Sequence, residues 1–173
     1  MNWAALGVIV EGIVAVAVLI TLLVLILEVR SNTKALRAQA HESMVSGYMA
    51  SIGMITDHAP IMSKGFAATY EEFLTFPDED KLTYFSVLFA SFKHFEQMHS
   101  QQERGLMDAE EWDAWSGHIR MQLHHSGVNW WWEKRRTSFK QSFRTFIDAS
   151  KPPEALIPGY GGSSNSVQNP SEN

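Results

Sequence analysis

The chain has 173 residues, no cysteine and a formal net charge of −5 at pH 7. Without cysteine there is no disulfide bond, thiolate zinc site or cysteine nucleophile. Residues 30–150 carry 13 Lys and Arg against 15 Asp and Glu, so they create no basic field and we expect no nucleic-acid partner. Ten Phe and six Trp indicate a packed domain.

The N-terminal stretch Val8–Leu27 is almost entirely apolar and predicts a transmembrane helix. The charge-free run from residue 12 to residue 27 would span about 24 Å, short of the roughly 30 Å hydrocarbon core. A span from Trp3 to Leu27 reaches about 37 Å, which places Glu11 inside the apolar region near one edge. We expect the Glu11 carboxylate to snorkel to the headgroups; the alternative is that it faces a partner helix.

Charge around the span predicts its orientation. Arg30, Lys34 and Arg37 follow the span, whereas only the α-amino group and Trp3 precede it, so we expect the N-terminus outside and the remaining chain in the cytoplasm. Trp3 would lie at the outer membrane interface and the three basic residues at the inner one. A cleaved signal peptide is the rival interpretation, and the long apolar core and missing basic start disfavour it.

Apolar periodicity predicts helices through most of the remaining chain. The span continues to about Ile55 and ends before Pro60 because a residue preceding proline disfavours the helical region. Four more helices are predicted, at about 61–73, from Pro77 to near Gly105, from an Asp108 N-cap to about 125, and at about 129–149. The helix predicted from Pro77 to near Gly105 has the clearest pattern for packing in a bundle. Its inward-facing row, or seam, consists of Leu82, Phe85, Phe89, Phe92, Glu96 and His99.

The predicted fold class is therefore all-α: one N-terminal transmembrane helix that continues into a cytoplasmic helical bundle of about four to five helices. Three regions are expected, with a transmembrane anchor at 1–29, the bundle at 30–150 and a flexible polar tail at 151–173. The tail is rich in Gly, Ser, Asn and Pro and cannot bury a core.

Glu96 and His99 form a Glu-x-x-His pair on the predicted seam. In di-iron bundles this spacing puts both ligands on one inward face, but such sites need two pairs and two further Glu, and only one pair is present. The simpler interpretation is a hydrogen-bonded polar layer that fixes helix register. Glu96 and His99 are the candidate metal ligands, and we expect no cofactor.

Two further patterns carry weaker alternatives. Arg120 and His125 give an Arg-x4-His spacing that resembles the pair of the HEPN ribonuclease superfamily, although Met121 stands where a polar residue is usual. Adjacent histidines near a helix end need no such function. Trp130 and Trp131, beside a basic run, are candidates for the membrane interface, or they cap the bundle while Trp132 packs inward with Phe139.

Three segments carry a resemblance to a known group of proteins. These are residues 30–38 (RSNTKALRA), residues 105–112 (GLMDAEEW) and residues 131–143 (WWEKRRTSFKQSF). They resemble the R-x-N-T-K-A-x-R-A segment, the central G-L-M-D-x-x-x-W segment and the late W-W-x-x-R-R-x-x-F signature of small uncharacterised bacterial single-pass membrane proteins. The resemblance implies a topology and no catalytic activity.

The sequence thus favours a non-catalytic interaction or accessory subunit of a larger inner-membrane assembly. Its expected partners are the lipid bilayer and other membrane-protein subunits or a second copy of itself. The alternative function is a metal-binding, di-iron-like enzyme that uses Glu96 and His99. A third class is a membrane-tethered sensor, for which the sequence reveals no ligand pocket.

Overall fold

The computed structural model describes the backbone of residues 3–150 and the side chains of residues 11–150. In this part of the chain there are seven α-helices, one 3-10 turn and no strand, which confirms the all-α class. The predicted polar tail at 151–173 and the side chain of Trp3 lie outside the described residues.

The helices follow one another with short connections. They are α1 (Trp3–Asp57), α2 (Ala59–Ala67), α3 (Tyr70–Leu74), α4 (Asp78–Glu103), α5 (Ala109–Gln122), α6 (Ser126–Arg135) and α7 (Gln141–Asp148), with the 3-10 turn at Arg136–Ser138 between the last two. Contacts divide the chain into an anchor unit, Met1–His41, and a bundle unit, Glu42–Asn173. The predicted boundary lay earlier, between residues 29 and 30.

The anchor unit contains the first part of α1. Among the described residues, α1 is the one helix long and apolar enough to cross a membrane, with a mean hydropathy of 2.9 in its most apolar window. The Thr21 hydroxyl donates to the carbonyl oxygen of Ala17 at 2.9 Å, so its polar group is satisfied within the helix. A lipid environment requires this internal pairing because it offers no water.

Three predicted helix boundaries are confirmed, two of them with capping hydrogen bonds. α1 ends at Asp57, ahead of Pro60 in the first turn of α2. α4 ends in a Schellman motif at Gly105, which has φ of +70°; its N–H donates to Gln102 O, and Leu106 N–H donates to Gln101 O. Asp108 caps α5, because its carboxylate accepts the N–H of Glu111 at 2.7 Å.

The single helix predicted at 61–73 is wrong because the chain breaks between α2 and α3. Thr69 starts α3 with a capping box: its hydroxyl accepts the Glu72 N–H at 3.2 Å, and the Glu72 carboxylate accepts the Thr69 N–H at 2.8 Å. The Thr-x-x-Glu spacing that signals this cap is present in the sequence, but the apolar period that runs through Phe66 and Phe73 favours one continuous helix instead.

The predicted helix at 129–149 is also wrong. Ser126 begins α6 three residues earlier, and the chain leaves helical geometry at Phe139 and Lys140, which have ψ of 157° and 147°. Neither residue is a helix breaker, so the break depends on contacts from α4 described below.

Aromatic side chains dominate the core of the bundle unit. Tyr84, Phe92, Trp131 and Phe143 are among its largest fully buried residues. α2 and α6 cross so closely that an added Cβ at Gly127 would lie 1.8 Å from the Gly65 carbonyl oxygen. Only glycine fits at this crossing.

The predicted α4 seam is only half correct. Phe92, Glu96 and His99 are buried, but the Leu82 side chain is 69% exposed and that of Phe89 is 39% exposed. α4 instead buries residues shifted around the helix, which are Tyr84, Val87, Leu88, Ser91, Phe95 and Met98. In the N-terminal half of the seam, Leu82 and Phe89 therefore lie at the surface of the bundle unit, while Phe85 packs partly against Phe73 and Trp130.

Candidate functional site

Glu96 holds the break between α6 and α7 against α4. One carboxylate oxygen accepts the backbone N–H of Lys140 at 2.5 Å, and the other accepts the Lys93 ammonium at 2.9 Å. Lys93 also donates to the Ser138 carbonyl at 2.8 Å, and its ammonium lies 4.4 Å from the centre of the Phe139 ring. We call Lys93 and Glu96 the α4 clamp, since together they satisfy backbone groups that the broken helix leaves open.

His99 lies one turn further along α4 in an aromatic pocket. Its ring centre is 5.5 Å from that of Trp112, 5.8 Å from Phe143 and 5.2 Å from Phe146. Nδ1 is 3.6 Å from a Glu103 carboxylate oxygen, too far for a hydrogen bond. Burial lowers the pKa of His99 and favours the neutral ring, and the Glu103 charge partly offsets this effect.

These contacts give the metal alternative no support. Both Glu96 oxygens already accept hydrogen bonds from groups on the protein, and one of these donors is a cation. Across the described side chains, no group of three or more His, Asp or Glu residues is arranged to hold a metal ion. Glu96 has the hydrogen bonds expected of a polar group that sets helix register, whereas His99 packs among aromatic rings and its buried Nδ1 has no hydrogen bond.

The Arg-x4-His pair is not brought together in one cleft. His125 is buried and stacks on Phe66, with ring centres 5.0 Å apart. Arg120 donates to the Ser116 hydroxyl at 3.0 Å and lines an open cleft with His124 instead. The local contacts of His125 are those of a core residue.

The tryptophan run divides between core and edge. Trp131 is completely buried and contacts Phe92 at 5.0 Å between ring centres, so the expectation that it meets lipid headgroups does not hold. Trp132 packs on Phe139 at 5.2 Å, as predicted. Trp130 is partly buried, and its indole N–H donates to the Ala68 carbonyl at 2.9 Å, which ties α6 to the end of α2.

The candidate membrane-contact residues of α1 whose side chains are described are exposed. They comprise Glu11 in the apolar stretch and Arg30, Lys34 and Arg37 after it. Every described side chain from Glu11 to Leu27 is also exposed, including the large apolar ones. Such an unburied apolar helix needs an apolar surrounding, either lipid or another helix.

The outer face of α4 is a surface that sequence reasoning missed. Leu82, Phe85 and Phe89 follow one another at spacings of three and four residues, with Phe85 partly buried between two exposed neighbours. The Arg135 guanidinium lies 5.0 Å from the centre of the Phe85 ring, and the Lys93 ammonium lies 5.6 Å from that of Phe89. We call Leu82, Phe85 and Phe89 the outer α4 stripe; it is apolar and has cations beside it.

Comparison with known proteins adds no assignment: the chain matches no protein-family model, and no curated protein or solved structure is significantly similar to it. The resemblance to small bacterial membrane proteins remains a prediction from the three sequence segments.

Proposed function

We propose that this protein is a membrane-anchored, non-catalytic interaction module of a larger inner-membrane assembly. In this proposal, the first part of α1 crosses the membrane once with its N-terminus outside, and the bundle unit lies in the cytoplasm. The basic residues Arg30, Lys34 and Arg37 support this orientation, because positive charge after a span favours the cytoplasmic side.

The observation that carries the proposal is the exposed outer α4 stripe. Apolar residues at helical spacing usually face a core, yet Leu82 is 69% exposed, and Phe89 is 39% exposed although its ring contacts that of Phe139 at 5.7 Å between centres. An exposed apolar row with charged neighbours is typical of a surface that receives a partner helix. Because Arg135 flanks the stripe, we propose a helix with an apolar face and an acidic residue at its edge.

Co-purification tests the stripe. The double variant Leu82→Glu/Phe89→Glu places two charges on the stripe, while Ala114→Glu places one on an exposed position of α5 and serves as the control. We expect the wild type and the control to retain a second membrane subunit in mild detergent, and the double variant to lose it while its bundle unit still unfolds in a cooperative thermal transition. Retention by the double variant, or a wild type that runs as a lone monomer at native abundance, would refute the proposal.

Cysteine labelling tests the topology separately, since the chain has no native cysteine to interfere. Gln97 is exposed on α4, so Gln97→Cys gives a reporter in the bundle unit, and Asn2→Cys gives the opposite reporter. We expect a membrane-impermeant maleimide to label position 97 only in inside-out vesicles and position 2 only in spheroplasts. Labelling of position 97 in spheroplasts would show that the orientation is reversed.

A further inference from the structure

A cavity of about 110 Å³ lies inside the bundle unit between the end of α1 and helices α2, α4 and α5. Its apolar wall includes Ile55, Leu88, Phe92 and Phe95. Ile52 also lines the cavity and is 38% exposed, so the cavity reaches the surface beside this residue. No Asp, Glu, Lys or Arg among the described residues lines it.

Two small side chains create the space. Ser51 on α1 and Ser91 on α4 are both buried and both line the cavity. Their hydroxyls donate to carbonyls of their own helices, at 3.0 Å to Gly47 and 2.9 Å to Val87. These hydroxyls are therefore already satisfied, and the two serines act in the cavity wall mainly through their small size.

Two polar groups of the wall meet at one imidazole. His118 Nε2 is 3.4 Å from the Tyr48 hydroxyl and 3.3 Å from the Gln122 amide nitrogen. Burial lowers the pKa of His118, which favours the neutral ring. Both distances are long for hydrogen bonds, and a ligand hydroxyl that replaces one of them would lose little.

We propose that this cavity binds a neutral, single-ring aromatic molecule that carries a hydroxyl group. The ligand ring would lie against Phe92 and Phe95, whose own rings contact each other with centres 5.5 Å apart, and the hydroxyl would bond to His118 or Gln122. The volume limits the ligand to a single ring, since an apolar cavity of about 150 Å³ in another protein takes benzene and this one holds about 110 Å³ and opens to the surface beside Ile52. The absence of charged wall residues excludes carboxylated relatives of the ligand, because a buried unpaired charge is strongly unfavourable.

Thermal unfolding of the full chain in lipid nanodiscs tests the site with phenol, benzene and benzoate as probes. We expect phenol to raise the melting temperature, benzoate to have no effect, and benzene to bind about five-fold more weakly than phenol because it makes no hydrogen bond. No stabilisation by phenol, or equal stabilisation by benzoate, would overturn the proposal. Equal affinity for benzene would overturn the role of the polar group.

Cavity filling supplies the matched comparison. Ser91→Leu occupies the cavity, whereas Ser86→Leu makes the same change at an exposed position of the same helix. Only Ser91→Leu should abolish the phenol effect, and an effect that survives it would refute the site. Should Ser91→Leu fail to fold, magnetisation transfer from the ring protons of phenol to Phe92 and Phe95 of the wild-type protein gives an independent readout. Absence of this transfer counts equally against the proposal. Neither measurement depends on a partner subunit, so this inference and the proposed function can fail separately.

Discussion

The crossing of α2 and α6 at Gly127 gives the sharpest stability prediction. A Cβ added there would lie 1.8 Å from the Gly65 carbonyl oxygen and 2.6 Å from the Tyr84 hydroxyl. Ordinary contact needs about 3.4 Å or more, so the two helix backbones would have to separate. Overpacking of a close-packed interior costs about 1–3 kcal/mol, and a backbone obstacle places Gly127→Ala in the upper part of this range.

Alanine also favours a helix over glycine by about 1 kcal/mol, which offsets part of that cost. We therefore expect Gly127→Ala to lower the free energy of unfolding by about 2 kcal/mol, or the melting temperature by about 8 °C for a domain of this size. Tryptophan fluorescence during thermal unfolding in mild detergent measures this loss of stability, since Trp131 and Trp132 are buried on α6, the helix that contains Gly127.

Gly117→Ala is the matched control because a Cβ added at Gly117 on α5 meets nothing within 4 Å apart from its chain neighbours and the backbone of its own helix. Helix propensity alone then acts, and we expect stabilisation by about 0.5–1 kcal/mol. A Gly127→Ala protein as stable as the wild type would show that the α2–α6 crossing is not as close as described. Equal changes of the same sign in the free energy of unfolding of both variants would show that the steric argument is wrong.

Three further predictions concern the clamp, the α4 terminus and the histidines. Glu96→Gln keeps the shape of the side chain but removes the charge that pairs with Lys93. We expect the free energy of unfolding in chemical denaturation to fall by about 1–2 kcal/mol, with no change in metal content by elemental analysis. Unchanged stability would contradict the role of the α4 clamp. Gly105→Ala forces a Cβ into a backbone with φ of +70° and should cost about 1 kcal/mol by the same assay, whereas Gly105→Asn should cost less. Burial lowers the pKa values of four histidines, which are His94, His99, His118 and His125. The unfolded chain therefore binds protons that the folded chain does not, and stability should fall as the pH drops below about 6.5. A melting temperature that rises as the pH is lowered from about 7.5 to about 5.5 would refute this prediction.

The amino-acid sequence by itself determined the features that depend on neighbours along the chain. The all-α class follows from apolar periodicity, and the helix ends near Asp57, Gly105 and Asp108 follow from proline, from a left-handed glycine and from a capping carboxylate. The apolar length of α1 follows from composition alone. These are local properties, so a pattern of four to twenty residues is enough to reveal them.

Only the tertiary structure decided which contacts break the last helix and which side of α4 faces outward. The α6–α7 break lies where Lys93 and Glu96 bond to backbone groups more than forty residues away, and no local pattern contains those partners. The apolar period on α4 shows that Leu82 and Phe89 share a face with Phe92, but periodicity does not tell whether a neighbouring helix covers the whole row. The cavity near His118 likewise depends on four helices meeting around two serines, because empty space is a property of packing.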